Sequence, residues 1–428
     1  MKLSSSSSSS IPTSLLNPPL NITIDTIGGL GDGIASHQRK PVFVPKSAAG
    51  DELSVRVIKE TGDAIRAEIV SIIKPGPDRV SAPCPYYEGC GGCSMMHINE
   101  SAYQSFKRIQ FINALHHAGF ALADPSVEFI PFSSRRRVEL KCVGGALGFY
   151  RQRSHDLIPI DHCIILRPAL DQAIGTVKAV LPHLSMHDAI DAISLTETPS
   201  GLDMVISLRT IPANKQWFEP LTHLPVARLS IRDTNDTLRT VYQKQPLTIR
   251  LGNYDVFLPP DAFLQATLEG QELLTYYALQ GTKGAKQVVD LFCGIGTYSF
   301  PLSERTNVHA VELDKQMVST LIQSAKQHRL EQKITAETRD LFKKPLTASE
   351  LNRFDAAVIN PPRLGSKAQI QEIAKSTLPS IVMISCNPAT WSRDAKILKE
   401  AGFTLDKAVG IDQFVYSPHL EIASIFTR

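Results

Sequence analysis

The stretch Gln287-Val-Val-Asp-Leu-Phe-Cys-Gly-Ile-Gly-Thr297 runs from apolar residues into two glycines. The first half has the composition of a buried strand. The glycines permit a tight turn in which the backbone closely approaches a ligand at the start of a helix. Because the pattern is GxG without a third glycine, it favours a small nucleoside cofactor over a dinucleotide. An ordinary tight turn would have the same letters, so the motif needs support from elsewhere.

Acidic residues after the following strands supply that support. Glu312 ends the next predicted strand, where an acidic side chain can hold two ribose hydroxyls. Asp340 follows the strand after that and suits an adenine amino group. Together with Asp290 and Gly294, these residues predict a site for S-adenosylmethionine.

The rest of the C-terminal part alternates apolar strands with amphipathic helices. The predicted elements are strands at Val308–Leu313, Ala356–Ile359 and Ile381–Ile384, a helix at Met317–Leu330, and a closing hairpin of Ala408–Phe414 and Ile422–Phe426. Strands that alternate with helices form parallel sheets covered on both faces. The sequence therefore predicts an α/β domain here.

The composition limits the class of protein. The 428 residues suffice for two to four domains, and a net charge of +3 means that any nucleic-acid footprint is local. No segment reaches the ~18 consecutive apolar residues that a membrane span requires. Residues 1–20 are serine-rich without an apolar signal region, and we predict a disordered leader. Seven cysteines without an export signal predict a reducing compartment, the cytoplasm.

The N-terminal half reads as a small β module followed by a mixed region. Short strands separated by Gly and Asp turns occupy residues 21–79 and suggest a small barrel, although any small all-β module would share the pattern. A helix is predicted at Glu100–His117. The basic stretch Arg135–Arg153 includes Phe149-Tyr150, a combination that binds RNA phosphates and bases. Alone, such a run is more often a solvated face.

Two loops after later strands contain the candidate chemistry. They are Asn360-Pro-Pro-Arg363 and Ser385-Cys-Asn-Pro388, at the sheet edge where cofactors bind. Carbon 5 of uracil becomes nucleophilic only after a thiolate adds at carbon 6, and a base must then remove the carbon 5 proton. Cys386 suits the first role. His419 and Glu421 are both candidates for the second.

Other interpretations of these residues stay open. A cysteine is often a small buried hydrophobic residue, which is how we interpret Cys142 and Cys293. Asn-Pro-Pro also occurs in methyltransferases that act on amino groups, where an aromatic residue follows. Arg363 stands at that position here, which weakens the adenine alternative.

A cysteine cluster predicts a metal site. Cys84, Cys90 and Cys93 lie in a loop rich in Gly and Pro. Cys163 can supply a fourth thiolate, and four thiolates fit an iron–sulfur cluster or a structural zinc. His97 and His162 keep a mixed zinc site open.

Together these motifs resemble the RNA uracil-5-methyltransferase family, in particular its iron–sulfur branch acting on 23S rRNA, over about residues 21–428. The resemblance implies a Rossmann-like class I methyltransferase domain with a mostly parallel seven-stranded sheet. It also implies an OB-like TRAM barrel and a central α+β iron–sulfur domain. The implied boundaries are a leader at 1–20, the TRAM domain at 21–79, the central domain at 80–255 and the methyltransferase domain at 256–428.

The resemblance also assigns residues. Cys386 matches the nucleophile and Glu421 the general base, in preference to His419. The cofactor positions are Gln265, Phe292, Gly294, Thr297, Glu312, Asp340 and Asn360. Cys84, Cys90, Cys93 and Cys163 match the ligands of a [4Fe-4S] cluster. Asn360 departs from the family's usual Asp and loses its charge, and Thr267 and Thr297 stand where many relatives have Asn.

The expected activity is thus 23S rRNA (uracil-C5)-methylation by a monomer that binds RNA, S-adenosylmethionine and a [4Fe-4S] cluster, without DNA or membrane partners. The first alternative is a catalytically weak RNA-binding or ribosome-assembly protein of the same fold, which Asn360 favours. The second is an enzyme that methylates tRNA or another RNA pyrimidine, including cytosine, or an amino group.

Overall fold

A computed structural model describes residues 18–184, 187–211 and 217–428. Most of the predicted leader, residues 1–17, lies outside the described residues. The chain forms two compact units. The first unit consists of the residues up to Tyr87, Cys93–Phe106 and Tyr416–Pro418, and the second of Glu88–Gly92, Lys107–Val415 and His419–Arg428.

The first unit contains a six-stranded sheet. Its strands are β1 (Leu20–Thr23), β2 (Thr26–Ile27), β3 (Gly33–His37), β4 (Lys40–Val44), β5 (Glu52–Glu60) and β6 (Ile65–Lys74). They lie in the order β1-β5-β6-β4-β3-β2, and alternate residues such as Val42, Val44, Leu53 and Val55 form a buried core. The short strands predicted for residues 21–79 are present.

A helix and two further sheets occupy the middle of the chain. The elements are α1 (Glu100–Ala118), β7 (Val127–Phe129), β8 (Arg137–Val143), β9 (Ala146–Tyr150), β10 (Leu157–Pro159), α2 (Pro168–Val180), β11 (Ile190–Thr198), β12 (Gly201–Leu208), β13 (Val226–Arg232), β14 (Leu238–Gln243), β15 (Thr248–Leu251) and β16 (Tyr254–Phe257). Strands β8 to β14 form one seven-stranded sheet in the order β10-β9-β8-β11-β12-β13-β14, and β15 pairs with β16.

The C-terminal part alternates strands and helices as predicted. The elements are α3 (Leu268–Gly281), β17 (Gln287–Leu291), α4 (Ser299–Ser303), β18 (Asn307–Glu312), α5 (Lys315–Gln327), β19 (Ile334–Thr338), α6 (Ala348–Leu351), β20 (Ala356–Ile359), α7 (Lys367–Lys375), β21 (Ser380–Ser385), α8 (Pro388–Glu400), β22 (Thr404–Asp412) and β23 (Glu421–Thr427).

These strands form one sheet in the order β19-β18-β17-β20-β21-β23-β22-β7. Strands β17 to β21 are parallel, whereas β23 runs antiparallel to both neighbours and closes the hairpin. The sheet has eight strands where seven were predicted. The additional strand is β7, which pairs with the edge strand β22 and comes from outside the predicted domain. Val127 pairs in parallel with Gly410, a long-range pairing without a local signal.

The sheet is covered on both faces, as predicted. Neighbouring residues of β17 belong to different buried clusters. Val289 shares one with Trp391 of α8 and Phe111 of α1, and Val288 shares another with Leu274 of α3. The carboxyl ends of the parallel strands therefore form an edge between two helical layers. Among the described residues, no helix combines the length and apolar character that crossing a bilayer would require.

Candidate active site

The glycine turn after β17 has a left-handed backbone at three positions. Phe292, Gly294 and Gly296 all have left-handed φ values of 61°, 57° and 91°. A Cβ built on Gly296 would lie 2.9 Å from the Phe300 ring, so close packing excludes a side chain there. Around Gly294 a built Cβ would meet no atom within 4 Å, which leaves open space in front of the turn.

Glu312 holds this turn from the next strand. Its Oε2 accepts the Gly294 N–H at 3.0 Å, and its Oε1 accepts the N–H groups of Leu313 and Asp314 at 2.7 and 3.0 Å. Asp340 follows β19 and accepts the Phe342 N–H at 3.0 Å. The three predicted cofactor strands thus end at one edge, with a partly exposed carboxylate at the end of β18 and another after β19.

An apolar surface lies in the same region. The rings of Phe292 and Phe342 are 5.4 Å apart between centroids, and Phe342 is 44% exposed. Thr297 is partly exposed in the turn that follows Phe292. The pair offers an apolar face beside the polar groups that a nucleoside needs.

Asp290 lies behind the turn and is fully buried. Its Oδ2 accepts a 2.6 Å hydrogen bond from the Ser299 hydroxyl, and its Oδ1 has no partner among the described residues. Burial raises the pKa of Asp290 to about 7. Its unpartnered oxygen is one mark of a site built for a ligand, because buried polar atoms are usually paired.

A chain of side chains joins Asn360 to Gln265. The Asn360 Nδ2 donates to the Tyr298 hydroxyl at 3.1 Å, and Tyr298 also hydrogen-bonds Gln265. Burial raises the pKa of Tyr298 well above its ordinary value, so this phenol stays protonated. Gln265 is in turn bound by Gln413, whose Nε2 donates to its Oε1 at 2.8 Å.

Gln413 also binds the predicted base. Its Nε2 donates to Oε2 of Glu421 at 3.0 Å. Glu421 is 2% exposed, and burial raises its pKa to about 7, while the hydrogen bond from Gln413 acts in the opposite direction. The carboxyl group is therefore poised between its two protonation states near neutral pH.

Cys386 follows β21 and is partly exposed. Burial, and then the charge of Glu421, raise the pKa of the Cys386 thiol to about 11, while Arg363 lowers it. Asn387 caps the N-terminus of α8, with its Oδ1 accepting the Ala389 N–H at 3.1 Å and its Nδ2 donating to the Arg363 carbonyl at 3.2 Å. The two predicted loops are thus tied together beside Cys386.

His419 lies near the same loops. An Arg363 nitrogen is 3.4 Å from its Nδ1, and burial together with the positive charges of Arg363, Lys107 and Arg135 lowers the pKa of His419 to about 4. The imidazole is neutral at pH 7. It is a poorer proton acceptor there than a carboxylate with a pKa near 7.

Comparison with known proteins shows to which family a chain with this site belongs. Residues 232–428 match the family model for tRNA (uracil-5-)-methyltransferase. An uncharacterized RNA methyltransferase of Caulobacter vibrioides is 35% identical over 95% of this chain and 100% of its own length. One from Brucella suis is 33% identical over 95% of this chain and 97% of its own. The chain belongs to the RNA uracil-5-methyltransferase family.

This membership confirms the predicted enzyme class, an S-adenosylmethionine-dependent RNA (uracil-5-)methyltransferase. A 23S rRNA (uracil(1939)-C(5))-methyltransferase, RlmD of Pectobacterium atrosepticum, is 26% identical over 95% of this chain and 93% of its own. A Pyrococcus abyssi tRNA (uracil-54, C5)-methyltransferase, solved with S-adenosyl-L-homocysteine, superimposes with a TM-score of 0.77 at 20% identity, over 95% of this chain and 100% of the other. That likeness confirms the class I methyltransferase fold.

The predicted cysteine ligands of this methyltransferase fall in both units. Cys84 and Cys93 belong to the first, and Cys90 and Cys163 to the second. All four are partly exposed. Cys142 and Cys293 are buried, as expected for the packing roles predicted for these two cysteines. Among the described residues no group of three or more His, Cys, Asp or Glu side chains is arranged to hold a metal ion. The predicted [4Fe-4S] cluster is therefore not confirmed.

Two arginines of the basic stretch, Arg136 and Arg137, make contacts within the protein. Arg136 is buried, and its guanidinium donates to the Gln265 carbonyl at 2.9 Å and to Gln271 at 2.7 Å. Arg137 pairs with Asp261. These two arginines brace the loop that contains Gln265, so the structure gives them a role other than binding phosphate.

Sequence reasoning missed Tyr298 and Gln413. Tyr298 directly follows the glycine turn, and Gln413 directly follows β22, so their positions beside motifs were the available signal. Their hydrogen bonds to Gln265 and Glu421 depend on distant parts of the chain.

Proposed function

We propose that the protein is a 23S rRNA (uracil-C5)-methyltransferase in which Cys386 is the covalent nucleophile and Glu421 the general base. One observation carries the proposal. A fully buried carboxyl group with a pKa of about 7 lies close enough to a partly exposed cysteine to raise the pKa of its thiol. Paired groups with perturbed pKa values at the carboxyl edge of such a sheet are typical of active sites.

The residues at this edge fit S-adenosylmethionine. Gly294 leaves open space, one Asp290 oxygen has no hydrogen-bond partner in the described part of the chain, and the Phe292–Phe342 pair offers an apolar face. Glu312 would hold the ribose hydroxyls and Asp340 the adenine amino group, with Gln265, Thr297 and Asn360 completing the predicted site. When bound, this cofactor supplies an electrophilic methyl group.

The chain's own residues supply the rest of the chemistry. The partly exposed Cys386 thiol gives its proton to solvent, and the thiolate sulfur forms a bond to carbon 6 of uracil. The electron pair of the 5,6 double bond moves into the ring as an enolate, which makes carbon 5 nucleophilic. Once carbon 5 is methylated, Glu421 takes its proton, the bond between sulfur and carbon 6 breaks, and the ring double bond returns. The positive charge of Arg363 favours the thiolate both at the start and at the end.

The departure at Asn360 is compatible with activity. Its amide donates to Tyr298 at 3.1 Å, whereas an Asp would accept a hydrogen bond from the same hydroxyl. The substitution therefore reverses the direction of this hydrogen bond and keeps the contact. For this reason we favour an active enzyme over the weak RNA-binding alternative.

Ribosomal RNA is the proposed substrate because the Pectobacterium rRNA enzyme is 26% identical to this chain over 95% of its length, whereas the Pyrococcus tRNA enzyme is 20% identical. We interpret the six-stranded sheet of the first unit as the TRAM domain and residues 80–255 as the central domain. The four cysteines, a donor set that suits iron–sulfur ligation, stay predicted cluster ligands, and no step of the reaction passes through them.

Methyl transfer to defined RNAs tests the proposal. Labelled methyl incorporation into unmodified 23S rRNA should fall by at least about 10³-fold in Cys386→Ala, because carbon 5 is then no longer activated. Cys142→Ala is the matched control, since Cys142 is a buried cysteine of β8 with no part in the site. Product analysis should find 5-methyluridine.

Three outcomes would overturn parts of the proposal. Full transfer by Cys386→Ala would remove the covalent mechanism. Transfer to a tRNA transcript but not to 23S rRNA, or 5-methylcytidine as the product, would replace the proposed substrate.

A further inference from the structure

Gln413 occupies a position that the reaction described above does not use. It is 1% exposed and lies directly after β22, opposite the start of β23. Its single amide nitrogen donates to Gln265 at 2.8 Å and to Glu421 at 3.0 Å. One side chain therefore connects a predicted cofactor residue to the predicted base.

Two neighbours hold Gln413 in place. A Cβ built on Gly270, in the first turn of α3, would lie 2.7 Å from the Gln413 Oε1, so the amide packs closely against that helix. The preceding residue, Asp412, is paired at 2.8 Å with Lys107, whose ammonium is completely buried. The amide thus has little room to rotate away from Glu421.

We propose that Gln413 is a positioning residue that stabilises the charged form of Glu421 and holds this carboxylate against Gln265. The inference rests on the proposed function, in which Glu421 must be charged to take a proton. An N–H donated to a carboxylate favours the charged form, and its loss inside a protein leaves burial unopposed.

The other titratable groups around Glu421 do not replace this donor. They are the Cys386 thiol on the loop after β21 and the Tyr298 phenol before α4, which both interact with the Glu421 charge. Both are protonated at neutral pH, and the charge of Glu421 opposes their ionisation further. The charge of Arg363 lowers the pKa of Cys386, whereas the hydrogen bond from Gln413 lowers the pKa of Glu421. Removing the Gln413 amide should therefore change the titration of Glu421.

The first test is the pH dependence of methyl transfer by Gln413→Leu with unmodified 23S rRNA. The midpoint of the acid limb should move up by about one pH unit, so that transfer at pH 6 falls about 10-fold and recovers toward the wild-type rate near pH 9. Gln413→Glu should move the midpoint further, because a second carboxyl group would then share the site. Gln369→Leu is the matched control, since this buried glutamine bonds the backbone of Leu346.

The second test separates the base step from the earlier ones. RNA that contains 5-fluorouridine has no carbon 5 proton to remove, so the covalent adduct with Cys386 should accumulate. Gln413→Leu should form this adduct at a rate within about 3-fold of the wild type, because Glu421 is not needed for it. A normal melting temperature would show that the variant folds. If it does not fold, Gln413→Glu, which keeps the shape, replaces it.

The outcomes are distinguishable. If the wild type forms no adduct with 5-fluorouridine RNA, the proposed function fails. If the wild type forms the adduct but Gln413→Leu and Gln413→Glu keep the wild-type pH profile, only the role of Gln413 fails. Equal loss of adduct and of transfer would mean that Gln413 merely maintains the structure.

Discussion

Asp290 and Glu421 are two buried carboxyl groups whose protonation sets the properties of this site. Burial raises the pKa of each to about 7. From the side chains that the structure describes, Asp290 accepts one hydrogen bond, from Ser299, and Glu421 accepts one, from Gln413. The proposed role of Glu421 as general base requires its charged form, whereas burial opposes that form. This residue is therefore expected to lower the stability of the fold.

The sign of this effect follows from the folded and unfolded pKa values. The pKa of Glu421 rises from 4.5 to about 7 on folding, so between these pH values the folded protein holds more protons than the unfolded chain. The free energy of unfolding therefore falls as pH rises from about 4.5 to 7, and the loss persists at higher pH.

We predict that Glu421→Gln stabilises the protein above pH 7. The free energy of unfolding at pH 8 should rise by roughly 1–3 kcal/mol relative to the wild type, and the difference should vanish near pH 4. Urea denaturation at both pH values measures it, with Glu331→Gln, an exposed glutamate, as the control. The same stability difference at both pH values would contradict the prediction.

At the scale of the element, α1 and the closing hairpin are joined by one buried ion pair. The Lys107 ammonium of α1 pairs with Asp412 at 2.8 Å and also donates to the His419 carbonyl. These contacts hold the segments on either side of the hairpin loop, where Gln413 and Glu421 lie. Burial lowers the pKa of Lys107, while Asp412 opposes that shift.

We predict that Lys107→Met lowers the free energy of unfolding by about 3–5 kcal/mol, because it leaves Asp412 buried without its cation. The double variant Lys107→Met/Asp412→Leu should recover much of the loss. Chemical denaturation measures both. Lys375→Met is the control, since its surface pair with Glu372 should contribute at most about 1 kcal/mol. A Lys107→Met effect as small as that of the control would refute the structural role of the pair.

At the scale of the whole molecule, the predicted cluster is the feature that most needs a direct measurement. Its predicted ligands are Cys84, Cys90, Cys93 and Cys163. If they share a cluster, metal binding should contribute to the stability of the full chain.

We predict that the full chain, purified without oxygen, is brown with absorbance near ~400 nm. Cys163→Ser should lose the colour, because a thiolate ligand is gone, and Cys142→Ser should keep it. Iron and zinc analysis of the same samples decides the metal. If the wild-type protein is colourless and contains zinc, the four cysteines form a zinc site and the iron–sulfur prediction is wrong.

Much of the fold could be predicted from local sequence. The apolar run of Gln287–Thr297 predicts a buried strand, and its glycines predict a tight turn with open space before it. Both signals are local, because backbone conformation depends mainly on the residue itself and its neighbours in sequence. The same holds for Glu312 at the end of β18 and for Cys386 after β21, since parallel strands place their carboxyl ends together.

Only the tertiary structure decided which side chains meet. Gln413 and Gln265 are 148 residues apart in sequence, and Lys107 and Asp412 are 305 apart. The edge strand β7 and the buried arginine behind Gln265 likewise depend on distant pairing. A hydrogen bond between remote residues leaves no periodic pattern in the chain, because its geometry arises only when the sheet and its helices pack.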